Sequence, residues 1–191
     1  MVTWQESTNV FIDALSDKSS VPGGGSAAAF SAGMGVALLI MASGVTVKRK
    51  ATPQADKDFL TPYLNKLEEY KQTFKNLTAE DAAAYLDVIT IKKQPQRAKQ
   101  QEALNKAQIR AAEVPSITAQ KIQELLKIVD EIENKIATII VSDLVCGKVL
   151  LLAGLKCCGE NIKTNLPYVT DENLKNKLQA ELEKINNICR Q

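Results

Sequence analysis

The uncharged run from residue 23 to residue 47 constrains this fold more than any other feature of the chain. It opens with Gly23, Gly24 and Gly25, directly after Pro22, and Ser26 and three alanines follow. Consecutive glycines destabilise a helix, whereas serine favours the N-cap position and alanine favours helix interiors. We therefore predict a glycine loop that leads into a helix beginning near Ser26. Backbone N–H groups in such a loop can approach a ligand closely, and the positive end of the helix favours an anion.

This run is long enough to cross a bilayer, but its composition favours a buried helix in a soluble bundle. It is rich in glycine, alanine and serine, and neither end carries the tryptophan or tyrosine that marks a membrane interface. Small residues recur four apart at Ala29, Gly33 and Ala37, which lets helix backbones pack closely. A chain of this size would struggle to cover such a helix alone, so we expect a homodimer rather than a membrane protein.

Apolar residues recur at intervals of three and four along most of the chain, and no segment alternates as a half-buried strand would. The 191 residues therefore predict a single all-α domain, 1–191, of six or seven helices. Pro62 and Pro115 are expected to interrupt or kink helices, and the stretch around Thr78 is compatible with a turn or with one long helix. The helical patterns cover residues 7–17, 26–47, 63–89, 103–114, 117–132, 136–158 and 171–188.

The composition excludes several classes of function. The chain has no histidine, which removes the commonest general base and most zinc sites, so we expect no metal. A net charge of +2, with no basic stripe interleaved with aromatic residues, argues against nucleic-acid binding. The four cysteines form neither a C-x-x-C pair nor a disulfide framework. Together with the lack of a signal-peptide pattern, they predict a cytoplasmic protein.

Five polar residues do not suit a plain core helix. Asp143 lies in an apolar segment, where burying a carboxylate is costly unless it is paired. The alternative is that Asp143 caps a helix that starts there. Asn161 and Asn165 are four apart, as are Asp81 and Tyr85, so each pair shares one face of a helix. Carboxylates, amides and a phenol can transfer protons and orient a substrate without histidine.

In this order along the chain, these elements resemble the cyclodeaminase and cyclohydrolase family of folate enzymes, and the resemblance covers nearly the whole sequence. The family includes the C-terminal domain of formiminotransferase-cyclodeaminase and stand-alone methenyltetrahydrofolate cyclohydrolases. The matching elements are Pro22–Ser26, Lys48-Arg49-Lys50, Asp81 with Ala84-Tyr85, Val114-Pro115, Ser142-Asp143 and Asn161-x-x-x-Asn165-Leu166.

The resemblance implies an all-α homodimer that acts on a tetrahydrofolate derivative carrying a one-carbon unit at N5. A cyclodeaminase converts 5-formiminotetrahydrofolate to 5,10-methenyltetrahydrofolate and ammonia, and a cyclohydrolase adds water to the methenyl form. A separate formiminotransferase would then be a further partner. The alternative is a non-catalytic helical dimer that keeps the fold, because Lys148 and Lys156 intrude on a helix that is usually more apolar in the family.

The resemblance also implies roles for individual residues. Asp143 is expected to be the main proton-transfer or substrate-orienting carboxylate, and Asp81 is the second candidate. Asn161 and Asn165 would orient the pterin or the attacking water, since an amide offers a donor and an acceptor. Cations suit the glutamate tail of the folate. The remaining residues expected at the substrate are Pro22, Gly23, Gly24, Gly25, Ser26, Lys48, Lys50 and Tyr85.

Overall fold

A computed structural model describes residues 3–19, 21–95 and 98–190, and within these ranges the chain is all-α, as predicted. Six α-helices carry the fold, and three single 3₁₀ turns lie at Glu133–Lys135, Thr138–Ile140 and Leu166–Tyr168. The α-helices are α1 (Trp4–Ser16), α2 (Gly24–Lys48), α3 (Gln54–Lys92), α4 (Ala98–Ile132), α5 (Val141–Asn165) and α6 (Glu172–Ile188).

Helix α2 is the centre of the bundle, and it packs mainly against α3 and α5. A Cβ added to Gly35 would lie 2.9 Å from the carbonyl oxygen of Gly147, and one added to Gly147 would lie 2.9 Å from the carbonyl oxygen of Gly35. A Cβ added to Gly154 would lie equally close to the carbonyl oxygen of Ala28. Residue numbers therefore rise along α2 as they fall along α5, so the two helices are antiparallel and in backbone contact.

The two prolines predicted to interrupt helices lie inside continuous helices instead. Pro62 lies within α3, and Pro115 lies within α4. A break at these positions is wrong, because burial of residues on both sides of each proline outweighs the loss of one hydrogen bond, whereas a kink stays a prediction. Leu60 and Leu67 flank the first proline and are fully buried. The stretch around Thr78 belongs to α3, so the long-helix alternative is the one that holds.

The starts of α2 and α5 also differ from the prediction. Helix α2 begins at Gly24 with Gly23 as its N-cap, two residues before Ser26. Helix α5 begins at Val141 rather than Ile136, because two 3₁₀ turns lead into it. The hydroxyl of Thr46 accepts a 3.0 Å hydrogen bond from the backbone N–H of Ala137, which ties this lead-in to the end of α2.

Two segments, Gly24–Lys48 and Thr138–Tyr168, are long and apolar enough to cross a membrane by length and composition. The core helix of a soluble bundle passes the same test. In this fold the first of them is α2, whose residues Ala29, Val36 and Leu39 are fully buried against neighbouring helices.

Candidate active site

A pocket of about 220 Å³ lies where the N-terminus of α2 meets the C-terminal end of α5, with α3 and α4 at its sides. Its walls combine backbone of the glycine segment with acid, phenol, amide and hydroxyl side chains. The lining residues are Val21, Gly23, Gly24, Gly25, Asp81, Ala82, Tyr85, Ala111, Asn161, Thr164 and Asn165.

The glycine segment forms the first turn of α2 rather than a loop before it. No glycine in the described ranges has a positive φ, so backbone freedom is not what these positions require. They require space: a Cβ on Gly25 would lie 2.1 Å from Oδ1 of Asp81, and a Cβ on Gly24 would lie 3.3 Å from Nδ2 of Asn161. The N-cap, Gly23, offers no side-chain hydrogen bond to the helix. The absence of side chains thus lets a carboxylate and an amide reach the backbone at the start of α2.

Asp81 extends from α3 over this helix N-terminus. Its Oδ2 accepts a 3.0 Å hydrogen bond from Oγ of Ser26, a residue with no exposed surface. Burial raises the pKa of Asp81, and hydrogen bonds from the side chain and backbone of Ser26 oppose that rise. Within the described part of the chain, Asp81 has no cationic partner. A carboxyl with a raised pKa at the wall of a pocket is a candidate for proton transfer.

The two amides present acceptor oxygens to the pocket. Nδ2 of Asn161 donates to the carbonyl oxygen of Cys157 at 2.8 Å, and Nδ2 of Asn165 donates to the carbonyl oxygen of Ala111 at 2.9 Å. These bonds hold each NH₂ group toward the backbone and leave each Oδ1 for a ligand. The second bond also ties α5 to α4. Asp81 and the two amides therefore form an array of acceptors suited to a ligand that donates N–H groups.

The structure divides the predicted site residues into two groups. The glycine segment, Asp81, Tyr85, Asn161 and Asn165 meet at the pocket, with Ser26 buried behind Asp81 and Pro22 between two lining residues. In contrast, Asp143 precedes Asn161 by eighteen residues on α5, a distance of about 27 Å. Lys48 is the last residue of α2, about 36 Å from Gly24, and Lys50 lies just beyond it. The prediction that these three share the pocket of Asp81 is not met within one chain.

Sequence reasoning missed four lining residues. Thr164 is three residues after Asn161 and one before Asn165, so helical spacing alone could have placed it near the amides. Val21, Ala82 and Ala111 are small or apolar and carry no chemical signal in the sequence. Ala111 enters the site because α4 crosses the end of α5, which is a tertiary relationship.

Taken together, the fold and the pocket define an all-α protein with a histidine-free polar site at the start of a buried, glycine-led helix. The sequence model of the formiminotransferase-cyclodeaminase family matches residues 7–184. The chain therefore belongs to the formiminotransferase-cyclodeaminase family, as the sequence elements indicated.

Two relatives give this assignment detail. A methenyltetrahydrofolate cyclohydrolase from Methylorubrum extorquens is 27% identical over 183 residues, which cover 93% of this chain and 88% of that protein. The crystal structure of a formiminotetrahydrofolate cyclodeaminase from Thermotoga maritima superposes with a TM-score of 0.84 at 21% sequence identity. That alignment covers 99% of this chain and 90% of the other, which confirms the fold.

Proposed function

We propose that this chain is an enzyme of folate one-carbon metabolism that acts on a tetrahydrofolate derivative carrying its one-carbon unit at N5. The observation that carries the proposal is the pocket itself, in which a carboxyl with raised pKa stands beside two amide oxygens and the start of a helix. Membership in the formiminotransferase-cyclodeaminase family supports the same substrate class. The reaction is either cyclodeamination of the 5-formimino form or hydrolysis of the 5,10-methenyl form, since the two named relatives differ in activity.

Both reactions pass through a tetrahedral carbon between N5 and N10. In deamination, N10 attacks the formimino carbon, a proton moves to the departing nitrogen, and ammonia leaves. In hydrolysis, water adds to the methenyl carbon and loses one proton, and the remaining hydroxyl proton is transferred to N5 as the bond between the carbon and N5 breaks, which leaves the formyl group on N10. Asp81 can accept or return the proton in either case, and a positioned acid or base contributes about a hundred- to ten-thousandfold in rate.

The acceptor array suggests how the substrate is oriented. A pterin carries an amino group and a ring N–H on one edge, and both are donors. Oδ1 of Asn161 and Oδ1 of Asn165 are the acceptors left open by the bonds that hold their NH₂ groups. The phenol of Tyr85, half exposed at the pocket wall, can add a further polar contact. This arrangement would set the pterin so that the one-carbon unit faces Asp81.

The same proposal extends to the compartment, the assembly and the partner of the protein. We expect a cytoplasmic homodimer that needs no metal, with a separate formiminotransferase as the source of the 5-formimino substrate. Four cysteines without a disulfide are consistent with a reducing compartment. Apolar residues left exposed on α2 and α5 are consistent with a second copy.

The direct test is to supply the purified protein with 5-formiminotetrahydrofolate and, separately, with 5,10-methenyltetrahydrofolate. Release of ammonia from the first, or loss of the methenyl absorbance above the uncatalysed rate from the second, supports the proposal. Tight folate binding without either turnover would favour the non-catalytic alternative. Absence of both turnover and folate binding would contradict the proposed substrate class.

A further inference from the structure

Two walls of the pocket, one from α3 and one from α5, extend in the same direction away from the start of α2. Asp81 on α3 and Asn161 on α5 both lie against the first turn of α2. Phe74 lies against Gly33, so residue numbers rise along α3 as they fall along α2, as they also do along α5. The residues that follow Asp81 and Asn161 therefore lie beyond the start of α2.

Each wall carries its polar residues in one stripe. On α3, Tyr85 and Lys92 follow Asp81 by about one and three helical turns, so the three side chains lie on one side of the helix. On α5, Asn165 follows Asn161 by about one turn and lies on the same side. Lys92 lies about 17 Å beyond Asp81 along the axis of α3. The stripe on α3 thus continues past the pocket to the last residue of the helix.

The two walls are joined again at the end away from α2. Nζ of Lys92 lies over the ring of Tyr168, 5.1 Å from the ring centroid. Tyr168 is the last residue of the 3₁₀ turn that directly follows Asn165 at the end of α5. An ammonium group at this distance from the face of an aromatic ring is attracted to it. We call this interaction the Lys92–Tyr168 contact.

The turn that carries Tyr168 is itself anchored to the bundle. Val169, the next residue, is buried, and Leu166 packs against the core. The backbone N–H of Val169 donates a 3.2 Å hydrogen bond to the carbonyl oxygen of Leu166, which closes the turn. Tyr168 is therefore held at a defined place on the α5 side, and Lys92 reaches its half-exposed ring from the α3 side.

We infer that the Lys92–Tyr168 contact is a positioning interaction, which holds the α3 and α5 walls at the spacing that a bound substrate requires. Helices α3 and α5 each pack against α2 and α4. Where Tyr85 and Asn165 line the pocket, both walls have passed the start of α2, so the contact connects them where α2 does not. Without it the walls separate more often, and a ligand that touches both must first bring them together.

The kinetic effect of the contact rests on the proposed function. Lys92→Met and Tyr168→Leu should each raise the KM for the folate by about two- to fivefold, the factor that corresponds to an exposed cation–π interaction, since the competent spacing is then populated less often. The kcat should change less, because saturating substrate holds the walls together. Lys92→Arg and Tyr168→Phe keep a cation and a ring, so both should behave as wild type. An unchanged KM in Lys92→Met would overturn the inference.

A double variant separates positioning from direct binding. If the two residues act through their contact, Lys92→Met combined with Tyr168→Leu raises the KM no further than either change alone. Effects that multiply would mean that each side chain binds the substrate separately, which contradicts the inference. Lys93→Met is the matched control, because it removes an exposed cation at the C-cap of α3, and it should keep the wild-type KM. An equal rise in Lys93→Met would trace the effect to charge alone and would also overturn the inference.

The spacing of the walls can be measured without turnover. Spin labels at Asp87→Cys on α3 and Glu160→Cys on α5, both exposed positions outside the pocket, report the distance between the two helices. The labelled chain is diluted with unlabelled protein, and serine replaces the cysteines that are not buried, Cys146, Cys157 and Cys189.

Lys92→Met should broaden the distribution of this distance toward longer values, whereas Lys92→Arg should keep the wild-type distribution. Identical distributions in Lys92→Met and wild type would overturn the inference, whether or not the protein turns over a folate. A broadened distribution in a protein without folate activity would uphold the role of the contact in spacing the walls and count against the proposed function alone.

Discussion

Gly25 and Asp81 are in such close contact that a methyl group on the glycine would lie 2.1 Å from Oδ1 of the acid. The carboxylate therefore rests on the first turn of α2, where the N-cap Gly23 supplies no side chain. Ser26 donates to the same carboxylate. Asp81 thus caps α2 from a neighbouring helix and faces the pocket at the same time. A carboxylate in this position also benefits from the helix dipole.

Replacing Gly25 with alanine should displace Asp81 and remove activity. The added methyl group overlaps the carboxylate, whose short side chain can escape only by giving up the bond to Ser26. We expect a fall in kcat of about a hundredfold or more, with helical circular dichroism near that of wild type. The control is Gly44→Ala, where nothing lies within 4 Å of the new Cβ. It should keep activity and raise the free energy of unfolding by about 0.5–1 kcal/mol. Normal turnover in Gly25→Ala would show that the position of Asp81 is unimportant.

Removing the hydroxyl of Ser26 should shift the pH dependence of the reaction. The hydrogen bond from Ser26 holds the pKa of Asp81 lower than burial alone would, so Ser26→Ala should raise that pKa further. If ionised Asp81 is the base, the acid limb of the kcat/KM profile then moves to higher pH.

The matched control is Ser43→Ala on the same helix. Ser43 is also fully buried, but its hydroxyl has no hydrogen-bond partner in the described structure. This variant should leave the pH profile in place and should not destabilise the fold. An identical shift in both variants would trace the effect to general loosening of α2 rather than to Asp81.

Asp81→Asn should become progressively more stable than wild type as the pH rises. Burial raises the pKa of Asp81 above its ordinary value of 3.8, so the folded state holds the proton more tightly than the unfolded state does. This contribution to stability is fully present below pH 3.8 and is lost as the pH rises through the folded pKa. An asparagine has no proton to lose and can still cap α2. Thermal unfolding of both proteins from about pH 3 to about pH 8 should show the difference in Tm growing in favour of the variant. A difference that shrinks with pH would mean that the charged form is the one stabilised by folding.

The all-α class and the composition of the pocket could be read from the sequence because local signals carry them. Helical spacing pairs Asp81 with Tyr85 and Asn161 with Asn165, and both pairs line one pocket. The glycine segment lies at the pocket, but it forms the start of α2 and packs closely against Asp81 and Asn161, whereas the sequence predicted a loop before the helix.

The features that the sequence predicted wrongly depend on tertiary structure. Pro62 and Pro115 stay inside helices because the packing of long helices outweighs local preference. Asp143 lies in an apolar segment, but it is partly exposed in the first turn of α5. No local sequence pattern shows that this end of α5 is far from the pocket. The sequence alone identifies the residue types of a site more readily than it shows at which end of the helical bundle each residue lies.

The turnover of Asp81→Asn, compared with Asp87→Asn, tests the account most directly. Asp87 is an exposed acid on the same helix and outside the pocket, so its substitution controls for the loss of a carboxylate from α3. We predict that Asp81→Asn lowers kcat by about a hundred- to ten-thousandfold in whichever of the deaminase and hydrolase assays the wild type performs, with folate binding largely kept. Asp87→Asn should match wild type. Near-normal kcat in Asp81→Asn in that assay would contradict the assignment of Asp81 as the group that moves the proton.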